Sequence, residues 1–305
     1  MGVDQTGAAL DQGRRAKALP MALTALGRDG EWGLYVRDRS GKPLRATSFA
    51  WAQLSDPCTA LMEESLRWEA TPVLVLVDCV LGLPQSLYEA QAGGLSPRAW
   101  LDHLFRSAAR FGPPAFGRGS AERFFASILG SQALEMGQGY PTRECERLAG
   151  ANSVFCARPY QKNVQTGTYR IWRDLGSDVL ENWRIAPQDR SIGSPEVGQR
   201  WLMEGWPSLL WRKVFGLPHR QPRNLREAAE RTYAESGLTL RCDPRAWSFL
   251  EASPDHADAA VLALAGPLLQ KTESLFPTLR TSSAEGWIAG LASEGEVSLS
   301  WAAAK

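Results

Sequence analysis

The chain has 305 residues, of which 44% are hydrophobic and 22% charged, and its formal net charge is +1. That is the make-up of an ordinary globular protein, with enough length for one large domain or two small ones. It excludes a strongly basic chain whose overall field would gather polyanions, and its longest apolar run falls well short of the ~20 residues that cross a bilayer. An acid at position 4 and no apolar h-region argue against a secretory signal. The five cysteines, Cys58, Cys79, Cys145, Cys156 and Cys242, are odd in number and form no C-x-x-C pair. We therefore expect a reduced, cytoplasmic protein with neither a zinc finger nor a disulfide framework. The twelve tryptophans are read first as core fillers, because aromatic side chains bury large areas.

Residues 19–38 read as a β-hairpin. An apolar run from Leu19 to Leu26 meets a turn at Gly27-Arg28-Asp29-Gly30, and Trp32, Leu34 and Val36 then alternate with small or polar residues. Residues 50–69 read as a helix interrupted or started at Pro57. Val73-Leu74-Val75-Leu76-Val77 is a continuous apolar run, as a strand buried on both faces requires. Ser96-Pro97 opens a helix to Arg110, and Ser120 to Leu134 reads as another. From Gly137 to Pro195 periodicity is weak, and residues 111–198 are taken as a helical or irregular insertion. Trp201 to Glu204 reads as a short strand followed by a helix from Pro207 to about Gly216. Asn224 to Ser236 reads as an exposed helix closed by Gly237. Ser253-Pro254 opens a long helix to about Leu269 with Ser253 as its cap, and Glu285 to Leu291 is expected to form a final strand.

Four acids stand beside core sequence. Asp4 follows Met1-Gly2-Val3, Asp78 follows the run at 73–77, and Glu204 follows Trp201-Leu202-Met203. Asp258 lies on the same helical stripe as Val261, Leu262, Ala265 and Leu269, with Asp255 three residues earlier. Charge placed next to a core is paired or holds a metal. Ligands of open α/β sheets bind beyond the carboxyl ends of the strands, where Asp4, Asp78 and Glu204 are all placed if their strands are neighbours. Oxygen-only ligands suit Mg²⁺ or Mn²⁺, and two such ions catalyse phosphodiester hydrolysis. The expected catalytic residues are Asp4, Asp78, Glu204 and Asp258, with Asp4, Asp78, Asp258 and Asp255 as metal ligands. Each acid also has a plainer reading. Asp255 complements a helix dipole, Asp4 is a loop acid, and Glu204 pairs with Arg200 or Arg212.

Five short motifs occur in order: Gly2-Val3-Asp4-Gln5-Thr6-Gly7, Val77-Asp78-Cys79-Val80-Leu81-Gly82-Leu83-Pro84, Glu204-Gly205-Trp206-Pro207-Ser208, Asp255-His256-Ala257-Asp258-Ala259-Ala260 and Glu285-Gly286-Trp287-Ile288. Together they resemble a bacterial and archaeal domain-of-unknown-function family of predicted ribonuclease-H-like nucleases, related to Holliday-junction resolvases. The resemblance implies a single ribonuclease-H-like α/β domain over 1–305. Its mixed five-stranded sheet would have the order 3-2-1-4-5, its first three strands antiparallel, flanked by helices. It also implies Asp4, Asp78 and Asp258 as metal ligands, assisted by Glu204 or Asp255. Three departures stand out: Gln5 replaces a frequent glycine, Cys79-Val80 replaces small residues or proline, and only three residues precede Asp4.

The implied partner is nucleic acid, DNA or RNA, with no membrane involved. Thr6, Arg14, Arg15 and Lys17 lie close in sequence to Asp4 and are the expected substrate contacts. Two further basic groups are Arg143, Arg147, Arg158 and Lys162 around Tyr140 and Tyr160, and Arg212, Lys213, His219, Arg220, Arg223 and Arg226. The last is read as solvated surface charge. His256 is a candidate proton shuttle, though a helix-surface histidine is the simpler reading. There is no phosphate-binding G-x-x-x-x-G-K and no G-x-S-x-G elbow. Two other functions compete. Asp4-Gln5-Thr6-Gly7 resembles the first phosphate loop of actin-like and sugar-kinase-like ATP-binding phosphotransferases, although no second phosphate loop follows. A non-catalytic nucleic-acid or protein binding module on the same fold is the other.

Overall fold

The computed structural model describes residues 1–4, 20–26, 29–36, 73–111, 118–130, 140–156, 164–176, 183–189, 199–272 and 283–291. The expected helix at 50–69 lies outside them. Seven strands form one mixed sheet: β1 (Gly2–Val3), β2 (Met21–Leu26), β3 (Trp32–Tyr35), β4 (Val73–Val77), β5 (Arg184–Ile185), β6 (Arg200–Glu204) and β7 (Leu240–Cys242). Their order is β5-β6-β4-β1-β2-β3-β7. The β2–β3 hairpin forms where alternation and the turn residues place it. β1 and β2 also pair antiparallel, whereas β1–β4, β4–β6, β5–β6 and β3–β7 are parallel.

The expectation of five strands is corrected to seven. Two very short strands, β5 and β7, extend the sheet at its two edges, and neither has enough residues for a period-2 pattern to register. A second correction concerns Glu285 to Leu291. Ser283–Glu285 is a 3₁₀ turn, and the segment meets the sheet through one isolated parallel bridge, Glu204 to Ile288. Gly286 and Gly290 take φ of +73° and +79°, a left-handed backbone that stops a strand.

The helices among the described residues are α1 (Gln85–Gln91), α2 (Pro97–Arg110), α3 (Arg118–Leu129), α4 (Glu144–Ala149), α5 (Val164–Leu175), α6 (Pro207–Lys213), α7 (Pro222–Glu235), α8 (Pro244–Ala252) and α9 (Pro254–Lys271). The Ser96 hydroxyl caps α2 by accepting from the Ala99 amide at 3.2 Å. Ser253 does not cap α9 in that way; its hydroxyl meets His256 Nδ1 at 2.7 Å instead. α3 begins at Arg118 rather than Ser120 and ends at Leu129, short of the expected Leu134.

The sheet is covered on both faces, as the unbroken apolar run of β4 requires. Val3, Val75, Val77, Leu202 and Ile185 face a core built with α1, α2, α3 and α5. Ala22, Leu34, Leu76, Trp201 and Met203 face a second core built with α6, α7, α8 and α9. The residues expected to form an insertion thus supply β5 to the sheet and α3 and α5 to the first core. No helix among the described residues is long and apolar enough to cross a membrane. Cys79, Cys145, Cys156 and Cys242 are free thiols.

Candidate functional site

The register of the parallel strands decides which acids meet. Val3 aligns with Val77, and Val77 aligns with Glu204. Side chains of a strand alternate between faces. Val3 and Val77 point into the first core, so Asp4 and Asp78, one residue on, turn to the α9 side at equivalent positions. Glu204 is level with Val77 and turns to the opposite side. The Asp4 and Asp78 amides complete the ladder by donating to Pro20 O at 3.1 Å and Val3 O at 2.9 Å.

α9 crosses this end of the sheet and brings Asp258. β1 can lie directly on the helix because residue 2 is glycine: a Cβ there would overlap the Ala259 carbonyl oxygen and crowd Ala263 N and the Leu262 side chain. Asp4 and Asp258 are both buried, and Asp78 is partly so. The Asp4 and Asp78 carboxyl groups are close enough to act on each other electrostatically. Burial, and then the charges of Asp258 and Asp255, push Asp4 up to about 7. Burial and the charges of Asp4 and Asp258 raise Asp78 well above the usual carboxylate range. Burial also raises Asp258, against the lowering effect of its bonds from Trp211 and Arg220. Burial leads in all three, and the like charges of neighbouring carboxylates add to it.

Asp258 is not free. Trp211 Nε1 donates to its Oδ1 at 2.7 Å, and Arg220 Nη2 pairs with its Oδ2. Arg220 also approaches Asp255, Nη1 to Oδ1, at 3.8 Å. Among the described residues Asp4 and Asp78 form no ion pair with an arginine or lysine, and no group of three or more His, Cys, Asp or Glu side chains is arranged to hold a metal ion. The donor chemistry nevertheless suits a hard divalent cation: Asp4, Asp78 and Asp258 offer only carboxylate oxygens.

Glu204 belongs to a different assembly. Expected as a catalytic acid, or more plainly as the partner of Arg200 or Arg212, it pairs with Arg143. The guanidinium donates to both carboxylate oxygens at 2.7 Å through Nη1 and Nη2, to Glu146 Oε1 through Nε at 3.0 Å and to the Glu285 carbonyl at 3.0 Å. Glu204 Oε2 also accepts from the Leu81 amide at 3.0 Å. Arg143 is fully buried, which removes it from the surface basic group in which its sequence neighbours suggested it. Burial works against the charged guanidinium, but the charges of Cys145, Glu204 and Glu146 and the bonds it donates to Glu204 raise its proton affinity overall.

The loop after Asp78 is fixed from several sides. Val80 N donates to Thr168 Oγ1 at 3.1 Å, Trp172 Nε1 to Val80 O at 2.6 Å and Gln188 Nε2 to Leu81 O at 2.6 Å. Glu285 accepts from Gln85 N at 2.9 Å and Glu144 N at 2.8 Å, so one carboxylate serves the first turns of α1 and α4. Three of the five motifs, at 77–84, 204–208 and 285–288, therefore meet around this loop and the Arg143 guanidinium.

Thr6, Arg14, Arg15 and Lys17 lie outside the described residues, as do Arg158, Tyr160 and Lys162. In the last basic group Arg226 pairs with Glu230, Arg212 donates to Ser208 O and lies over the Trp206 ring, and His219 meets Gln221. His256 stands edge-on to Phe249, with ring centroids 4.8 Å apart, and contacts Ser253. Sequence reasoning did not single out Arg143, Trp211 or Arg220 as partners of the acids. The only prior signal was Arg143 three residues before Glu146 at a helix start, an arrangement that speaks of a helix end and not of Glu204. The chain matches no family model, and no curated protein or solved structure is significantly similar to it.

Proposed function

We propose that this chain is a divalent-cation-dependent hydrolase of phosphodiester bonds in nucleic acid. Asp4, Asp78 and Asp258 are its cation ligands, and Asp255 lies at the margin of the site. The observation that carries the reading is the meeting of three carboxylates at the carboxyl ends of β1 and β4 under α9, of which Asp4 and Asp78 have no ion-pair partner among the described residues. The strand succession β3-β2-β1-β4-β6, with the first three antiparallel, supports a ribonuclease-H-like reading of the sheet, with β5 and β7 as additions.

A bound Mg²⁺ or Mn²⁺ supplies the positive charge that polarises a phosphoryl oxygen and acidifies a water molecule. The chain's own groups do the rest. Asp4 and Asp78, both raised by burial, must be deprotonated before they act as ligands, and Trp211 holds one oxygen of Asp258 in place. Arg143 and Glu204 set the position of the Asp78 loop through Leu81. Glu204 thus acts through the backbone rather than on the substrate. Contact with the nucleic-acid backbone is assigned to Thr6, Arg14, Arg15 and Lys17.

Asp78→Asn and Asp258→Asn keep size and hydrogen-bonding shape while removing a ligand charge. Each is expected to lower Mn²⁺-dependent cleavage of single-stranded and duplex oligonucleotides by about a hundredfold or more, beyond the loss typical when a group that only orients a ligand is removed, with an unchanged circular dichroism spectrum. Full cleavage by both folded variants would rule the mechanism out.

A further inference from the structure

The two oxygens of the Asp258 carboxylate have unlike partners. Oδ1 accepts from the neutral indole of Trp211, itself buried in the second core, whereas Oδ2 meets the Arg220 guanidinium. Arg220 belongs to neither α6 nor α7 but to the segment between them, and its side chain is about a third exposed while that of Asp258 is 5% exposed. The indole is held by packing and carries no charge to compete with a cation. The guanidinium comes from the solvent side and has a second acceptor at hand, Asp255, one turn earlier on α9 and 3.8 Å away. An ion pair with one partly exposed partner is weakly held, so Oδ2 is the exchangeable position.

We infer that Arg220 is the counter-ion that a divalent cation displaces from Asp258, and that this arginine sets the cation affinity of the site. The inference rests on the cation reading above. Arg220 keeps Asp258 charged and oriented while no metal is bound, and it shifts toward Asp255 when Oδ2 is taken. It is a positioning residue: it tunes the readiness of one ligand and touches no reacting atom.

Calorimetric titration of the full chain with Mn²⁺ at pH 8 tests this without any substrate. Arg220→Gln is expected to bind Mn²⁺ about fivefold more tightly than the unaltered protein, the effect of removing a competing ion pair of about 1 kcal/mol. Arg223→Gln removes an equal charge from an exposed position close by in sequence and is expected to change the affinity less than about twofold. Equal affinities for the unaltered protein and Arg220→Gln overturn the inference, as does an equal gain in Arg223→Gln. Either result leaves the cation reading standing. Absence of Mn²⁺ binding in both the unaltered protein and Arg220→Gln overturns the cation reading itself, and the inference with it.

Discussion

Asp4 takes up a proton on folding that it would give up in the unfolded chain at the same pH. Its ordinary value of 3.8 rises to about 7 in the folded protein. The stability that the neutral acid contributes is therefore complete below about pH 4 and is lost as the pH rises through 7, with a ceiling of roughly 4 kcal/mol. Asp78, shifted in the same direction, adds to the trend. Without divalent cations the melting temperature is expected to fall between pH 5 and 8. Asp4→Asn should flatten that fall and melt higher than the unaltered protein at pH 8. Mn²⁺ should raise the melting temperature more at pH 8 than at pH 5, because the ligands must shed a proton to bind it. A melting profile that rises from pH 5 to 8 would contradict the whole chain of reasoning. Asp4, Asp78 and Asp258 were legible in the sequence because charge beside an apolar run needs a partner. The side of the sheet that Glu204 faces was not. It depends on whether the acid is the last residue of its strand or the first beyond it, and that single step reverses the direction of the side chain.

Among the elements, β1 and α9 depend on each other most. β1 is two residues long and keeps its place through ladder bonds to β2 and β4 and through backbone contact with the helix at Gly2. Gly2→Ala sets a methyl group against the Ala259 carbonyl. It is expected to destabilise the protein by about 1–3 kcal/mol, the usual cost of overpacking. It should also weaken the Mn²⁺-induced rise in melting temperature, because β1 carries Asp4 away from Asp258 as it moves. An undiminished Mn²⁺ response in a destabilised Gly2→Ala protein would show that the two acids need no such closeness.

The elements legible in advance were those with a clean signal: the apolar run of β4, the Ser-Pro start of α2, the proline starts of α6 and α9, and Gly237 after α7. α5 was not among them. Gln165, Thr168 and Arg170 lie buried within it beside Tyr169, Ile171 and Trp172, so polar residues interrupt the stripe that marks a helix. α1 at seven residues gives the pattern less than two full turns in which to repeat. α8, at nine residues, follows, with one residue between, on β7, which has only three.

At the scale of the whole molecule, Arg143 joins parts of the chain that are far apart in sequence. It is hydrogen-bonded to Glu204 at the end of β6, to the Glu285 carbonyl and to Glu146 on its own helix. Arg143→Met leaves two buried carboxylates without their cation and is expected to cost about 3–5 kcal/mol, measured by urea unfolding. Adding Glu204→Gln should recover part of that loss, which distinguishes an ion-pair defect from lost packing. Recovery requires the two residues to be coupled; strictly additive losses would deny it. No local pattern could have announced this assembly, since its members come from three unrelated stretches of sequence.

The contact between Gly82 and the turn at Glu285-Gly286 has a consequence in time. Side chains are excluded there: a Cβ on Gly82 would overlap the Glu285 backbone, and one on Gly286 would stand 2.8 Å from Leu81 O. Leu83 N donates to Ala284 O at 3.2 Å, and the Gln85 amide waits for a carboxylate 200 residues later. During translation the loop that carries Asp78 leaves the ribosome long before the stretch that closes over it. A chain still in synthesis therefore holds Asp78 on an unfinished frame until residues 283–291 have emerged and settled against it.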